Sequence, residues 1–308
     1  MKFEIHEIIM LIIITIFIML SFQCPGQNAV AKLDYPPSIG TYFGQDLPGL
    51  IPEIFAPGIV SVNGRFEYGI TFSPGLNEIF WTVDRVGYNT CIFYSKIENG
   101  KWKVPGEANF TKGLRKAEME PFVSPNGERI YFTAFDSGDY KIWFVKRLVS
   151  SWSIAEMLDS PINNDKVMYP NSSANGDIYY TNVSKLKMYY APQRNQEYPE
   201  ILETENEYGL HGFIEPHKDY MLIDAPKEND KTKDRDIYVC FKNGKSTWTK
   251  PINLGEEVNT KFNETCPSIS PDGQYLFFSR YNEEGGISNI YWVSTELIKN
   301  IKANIRED

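Results

Sequence analysis

Apolar residues fall into one long run and many short ones. Ile8 to Phe22 is an almost purely apolar stretch; from Ile70 onward the runs shorten to four or five β-branched and aromatic residues. Each short run follows a turn. Ile70-Thr71-Phe72-Ser73-Pro74-Gly75 leads to Ile79-Phe80-Trp81-Thr82, and Pro121-Phe122-Val123-Ser124-Pro125-Asn126-Gly127 leads to Ile130-Tyr131-Phe132-Thr133. Pro170-Asn171-Ser172-Ser173-Ala174-Asn175-Gly176 precedes Ile178-Tyr179-Tyr180-Thr181, and a degenerate copy, Glu215-Pro216-His217-Lys218, precedes Tyr220-Met221-Leu222-Ile223. The cleanest copy is Ser268-Ile269-Ser270-Pro271-Asp272-Gly273 before Tyr275-Leu276-Phe277-Phe278-Ser279. Proline presets the first torsion of a type I turn, Asp or Asn bonds back to the backbone, and glycine accepts the positive φ that ends the turn. The pattern therefore predicts antiparallel hairpins.

The second strand of each hairpin is apolar on both faces, so it must be covered on both sides. A third strand follows, as in Cys91-Ile92-Phe93-Tyr94, Ile142-Trp143-Phe144 and Asp236-Ile237-Tyr238-Val239; an outer fourth strand opens at Trp102, Trp152 and Trp248. The turn markers 74, 125, 174, 216 and 271 are spaced 51, 49, 42 and 55 residues apart. Four strands per unit at this period predict an all-β chain, a β-propeller of about five four-stranded blades, with a sixth, weaker unit left open. The last unit stops after its third strand near Ser294, and Pro57-Gly58-Ile59-Val60-Ser61 resembles the fourth-strand region Pro251-Ile252-Asn253-Leu254. The N-terminal strand is thus expected to close the last blade and remove its open edge.

The Ser-Pro-Asp-Gly hairpins, the Asp-Ile-Tyr third strand and the Trp-x-x-Pro outer strand resemble the TolB-type, WD-repeat-like β-propeller family of exported bacterial proteins, over residues 52–296. The resemblance implies a fold rather than an activity, because members serve as interaction platforms, assembly factors and accessory domains of hydrolases.

Ile8–Phe22 is too short to span a bilayer comfortably and has the length of a signal-peptide core; Ala29-Val30-Ala31 supplies small residues for cleavage before Lys32. Cys24 is an alternative lipidation site, although Phe22 and Gln23 stand where small residues are wanted. The chain then divides into a signal peptide (1–31), an N-terminal extension (32–51), the propeller (52–296) and a C-terminal tail (297–308). No membrane span remains after processing, and the protein is expected to be exported: periplasmic, secreted or lipid-anchored in the envelope. The net charge is −9, and −8 without the leader, which gives no footprint for nucleic acid. Cys91, Cys240 and Cys266 form neither a disulfide framework nor a Cys-x-x-Cys zinc pair and read as packing residues, with one disulfide as the alternative.

Chemistry is expected where the first strands begin and the second strands end, at the channel mouth. Seven residues before the turn markers stand Glu67, Glu118, Val167, Gly209 and Glu264; the second strands end at Asp84 and Arg85, Asp136, Asn182, Asp224 and Arg280, with His211 nearby. Two readings stand side by side. Clustered carboxylates could hold calcium or act as acid and base on a sugar, with Arg85 or Arg280 taking an anionic group. Alternatively the glutamates recur because the fold does, each bonding backbone amides. No Gly-x-Ser-x-Gly or His-Glu-x-x-His motif occurs. His217 falls in a hairpin turn, and Lys227–Arg235 reads as a solvated charged loop. A complete fold without a complete catalytic motif favours an exported non-catalytic binding module without a cofactor, recognising an envelope protein or glycan on its channel face. The alternative is a glycoside hydrolase-like enzyme using Glu67, Glu118 and Glu264.

Overall fold

The computed structural model describes residues 39–84, 90–136, 138–159, 161–204, 209–226, 234–244, 247–281 and 287–305. Among these the strands form consecutive antiparallel sets. The inner strands are Phe66–Phe72, Lys116–Val123, Val167–Ser172, Leu210–Ile214 and Glu264–Ile269. Each pairs with the second strand of its own hairpin, which pairs in turn with a third. Neighbouring inner strands contact one another in a closed circuit, the last against the first, which is the arrangement of a β-propeller.

The doubly apolar second strands are buried as their pattern predicts: Ile79 to Val83 and Ile130 to Ala134 are enclosed throughout. Their side chains pack against adjacent sets, so that Phe80 of the first hairpin shares a cluster with Ile130, Phe132 and Trp143 of the second. The turns also follow their chemistry. In the second, the Ser124 hydroxyl donates to Asn126 Oδ1 (2.7 Å) and the Gly127 amide to Ser124 O (2.7 Å); the last repeats this with Ser270, Asp272 and Gly273. Where no glycine is in place, Leu76 and Lys218 take the positive φ.

The N-terminal segment closes the ring as expected, but the closing strand is Glu53–Ile54 rather than the Pro57–Ser61 segment, whose ends bridge each other instead. Glu53–Ile54 pairs antiparallel with Ser288–Ser294, Glu53 opposite Trp292, and the Ser61 hydroxyl bonds both the amide and the carbonyl of Ile290. The chain before residue 52 belongs to the closure too: Tyr42 and Phe43 are buried, with the Tyr42 ring against Tyr275 and Trp292. The tail forms helix α1 (Glu296–Ile305), whose Ile298 is buried in the core.

The outer strands differ from expectation. Instead of one strand opening at tryptophan, Lys101–Trp102 and Gly106–Glu107 pair separately with Cys91–Glu98, and Thr247–Trp248 and Ile252–Asn253 do likewise with Arg235–Asn243. Pro105 and Pro251 fall in the gaps, where a residue without an N–H cannot continue the ladder. Cys91, Cys240 and Cys266 form no disulfide among the described residues, Cys240 and Cys266 being buried and Cys91 half-buried, so the disulfide alternative does not hold. No helix of the described residues is long and apolar enough to cross a membrane.

Candidate functional site

Every inner strand slips register at an equivalent place, between Tyr68 and Thr71, Met119 and Phe122, Met168 and Asn171, Leu210 and Phe213, and Thr265 and Ser268, and the second of these strands slips once more between Lys116 and Met119. The residues of positive φ in the equivalent slips are Gly69, Glu120, Tyr169, His211 and Cys266, each five positions before its turn marker. Such a bulge leaves an amide outside the ladder, and a buried amide requires an acceptor. The preceding strand set supplies it: Thr82 Oγ1 accepts from Glu120 N (2.8 Å), Thr133 Oγ1 from Tyr169 N (3.2 Å), Thr181 Oγ1 from His211 N (3.1 Å), and Asp224 Oδ2 from Cys266 N (3.1 Å).

Asp224 therefore stands where the other sets use a hydroxyl. Its fully buried carboxylate lies 2.6 Å from His211 Nδ1 and accepts from Arg235 Nε at 2.5 Å. Burial disfavours its charge, but His211 and Arg235 outweigh burial and hold the carboxyl below its usual range. On the far side of His211, Nε2 lies 3.8 Å from Glu120 Oε1. The other Glu120 oxygen accepts from Thr133 Oγ1 and the Tyr169 amide, both at 2.8 Å, and burial raises the Glu120 carboxyl above its ordinary value. Burial also works against a charged His211, yet Asp224 and Glu120 prevail and raise it. The Tyr169 ring packs edge-on to His211, and its hydroxyl donates to Pro267 O (2.9 Å), bridging the third and fifth sets.

Of these residues the sequence singled out His211 and Asp224. Glu120 and Tyr169 were not visible because a bulge has no residue-type signature and shifts the position that faces the channel. Arg235, expected in a solvated loop, instead begins the third strand and joins the buried cluster; residues 227–233 of that run lie outside the described residues.

The three expected glutamates lie at the starts of their inner strands, and each is bonded to groups of its own strand set. Glu118 accepts from Phe110 N (2.9 Å), Thr111 N (2.8 Å) and Thr111 Oγ1 (2.5 Å). Glu264 accepts from Thr260 Oγ1 (2.6 Å) and Arg280 Nε (2.9 Å). Glu67 has one contact, Val62 N at 3.3 Å, and a second oxygen buried without a partner; burial pushes its carboxyl up to about 8. All three tether the loop that enters their strand. Asp84 is half-buried opposite Phe66, Asp136 is paired with Arg115 (3.2 Å), and Arg280, besides Glu264, donates to Val258 O (2.9 Å). Arg85 and Cys24 lie outside the described residues. Among the described residues no three His, Cys, Asp or Glu side chains are placed to hold a metal ion. Asn171 and Asn182, each the first residue of an Asn-x-Ser sequon, are buried.

A cavity of about 580 Å³ lies at the opposite end of the inner strands, among the hairpin turns. Phe72, Phe122, Phe213 and Ile269 wall it, prolines 74, 125, 216 and 271 stand around it, and Ile298, Lys299 and Lys302 of α1 form one side. The residues singled out at the strand starts do not line it, whereas His217 does. The turn end of the channel is thus a hollow with apolar walls and charged residues such as Asp219, Asp272 and Lys299 around it, and the strand-start glutamates lie outside its lining.

The chain matches no protein family model and no curated protein. Among solved structures it is similar to putative TolB from Agrobacterium tumefaciens, at 11% identity over 75% of this chain and 77% of that one, TM-score 0.51. TolB from Acinetobacter baumannii is 12% identical over 74% of this chain and 54% of its own, TM-score 0.47, so the chain spans about half of that protein. A gluconolactonase from Xanthomonas campestris is 8% identical over 84% and 94%, TM-score 0.47. At such identities the likeness to the first establishes the β-propeller fold alone.

Proposed function

We propose that this chain is an exported, non-catalytic, five-bladed binding propeller that takes an apolar segment of an envelope protein into its turn-end cavity. The observation that carries this reading is the cavity's composition, with Phe72, Phe122, Phe213 and Ile269 as walls, remote from the strand-start glutamates. A glycoside hydrolase needs two carboxyls facing a shared accessible space. Glu118 and Glu264 are instead committed to Thr111 and to Thr260 with Arg280. Export rests on Ile8–Phe22 and the Ala29-Val30-Ala31 site, with Cys24 as the alternative lipid anchor.

The test uses residues 32–308 and a displayed peptide library. Ala174 is exposed at the cavity mouth, so Ala174→Trp should occlude it without disturbing the core. Enriched peptides are expected to carry adjacent large apolar residues and to lose binding to Ala174→Trp at unchanged thermal stability. Binding of oligosaccharides in place of peptides would overturn the protein ligand, and turnover of a glycoside abolished by a Glu67 substitution would overturn the non-catalytic role.

A further inference from the structure

The cluster at the bulge level is largely buried, the His211 and Arg235 side chains being 16% and 17% exposed, and its charges can be counted. Asp224 and Arg235 face each other directly, with Arg235 Nη2 also donating to Asp224 O (2.5 Å), and cancel as a pair. The groups that look onto them from the other sets are the Tyr68, Tyr169 and Tyr281 phenols and the Cys266 thiol, all of which burial keeps in their neutral forms. Asp84 stands further out, beside Tyr68 and Tyr281. What remains is Glu120, 3% exposed, and His211, 16% exposed at the side chain, 3.8 Å apart.

This remainder has two states of balanced charge, carboxylate with imidazolium or carboxylic acid with neutral imidazole, and each contains one proton. Removing that proton leaves a net negative charge on a largely buried pair, at a cost of several kcal/mol in general. The ring cannot turn away from Glu120, because its Nδ1 is held by Asp224 at 2.6 Å and its face by Tyr169.

We propose that Glu120 and His211 jointly hold one proton through neutral pH, binding the second strand set to the fourth across the channel, and that alkaline solution weakens the propeller by removing it. In the unfolded chain glutamate is ionised and histidine neutral above about pH 6.5. The folded state then carries the extra proton, so its stabilising effect is complete below about pH 6.5 and is lost as pH rises through the pair's own, higher titration.

Glu67 also titrates as it unfolds, so the measurement is made in Glu67→Gln protein, residues 32–308. Between pH 7 and 8.5 the unfolding equilibrium constant should rise about tenfold per pH unit more steeply than in the Glu67→Gln, Glu120→Gln double variant. Coincident slopes would overturn the proposal. Should the double variant not fold, carbon-13 spectra of the histidine rings and glutamate carboxyls decide on the single variant, with exposed His217 as the internal reference. At pH 7.5 either the His211 ring is imidazolium or one glutamate carboxyl is protonated. A neutral His211 ring with every glutamate ionised would overturn the shared proton.

Discussion

The Tyr42 hydroxyl donates to Asp272 Oδ2 at 3.0 Å, joining a residue near the start of the described chain to the turn of its last hairpin. The ring below that bond packs on Phe72, Tyr275 and Trp292, so the segment seals the junction between the first and last strand sets. Tyr42→Ala is expected to cost about 3–5 kcal/mol, as removal of a buried aromatic ring does, and Tyr42→Phe about 0.5–1.5 kcal/mol for the lost hydrogen bond. Urea denaturation of both variants checks this. Equal, small losses would mean that Glu53–Ile54 pairing alone closes the ring.

Glu118 holds two amides and a hydroxyl of the incoming loop. Glu118→Gln retains one acceptor but brings a donor against these donors, and it is expected to lower stability by about 1.5–3 kcal/mol. Faster hydrogen exchange at the Phe110 and Thr111 amides should accompany the loss. An unchanged denaturation midpoint would argue against the tether.

Glu67 should respond in the opposite sense. Burial raises its folded carboxyl to about 8, above the unfolded value, so its contribution is complete in acid and declines as pH rises toward 8. Glu67→Gln mimics the protonated acid. It should be neutral near pH 4 and stabilising by about 1–3 kcal/mol at pH 8. A pH-independent difference from the parent protein would show that the Val62 amide and the nearby positive charge of Arg65 keep the carboxylate charged.

Hairpins, strand order and ring closure were legible because each has a local cause: a turn that needs proline and glycine, a strand apolar on both faces, a terminal segment resembling an outer strand. The site was legible only in part. His211 and Asp224 stood out as polar residues beside a channel strand, whereas Glu120 lies two residues beyond the glutamate that counting selects, at a bulge that re-aims the strand. The direction in which Arg235 points depends on where the third strand starts, and a run of alternating charges does not mark that start. The hollow at the turns was equally invisible, since it depends on how far Phe72, Phe122 and Phe213 reach across a channel whose width the chain alone does not give.

The hydroxyls that cap the bulges make each strand set dependent on the one before it. Glu120, Tyr169 and His211 all place a backbone amide on a threonine of the preceding set, and Cys266 places its amide on Asp224. A set cut away from its predecessor would carry a bare buried donor, at a cost of about 1–3 kcal/mol each time. Excised hairpins and half-rings would therefore be poor folding units, and the whole circle should melt in a single cooperative step rather than hairpin by hairpin.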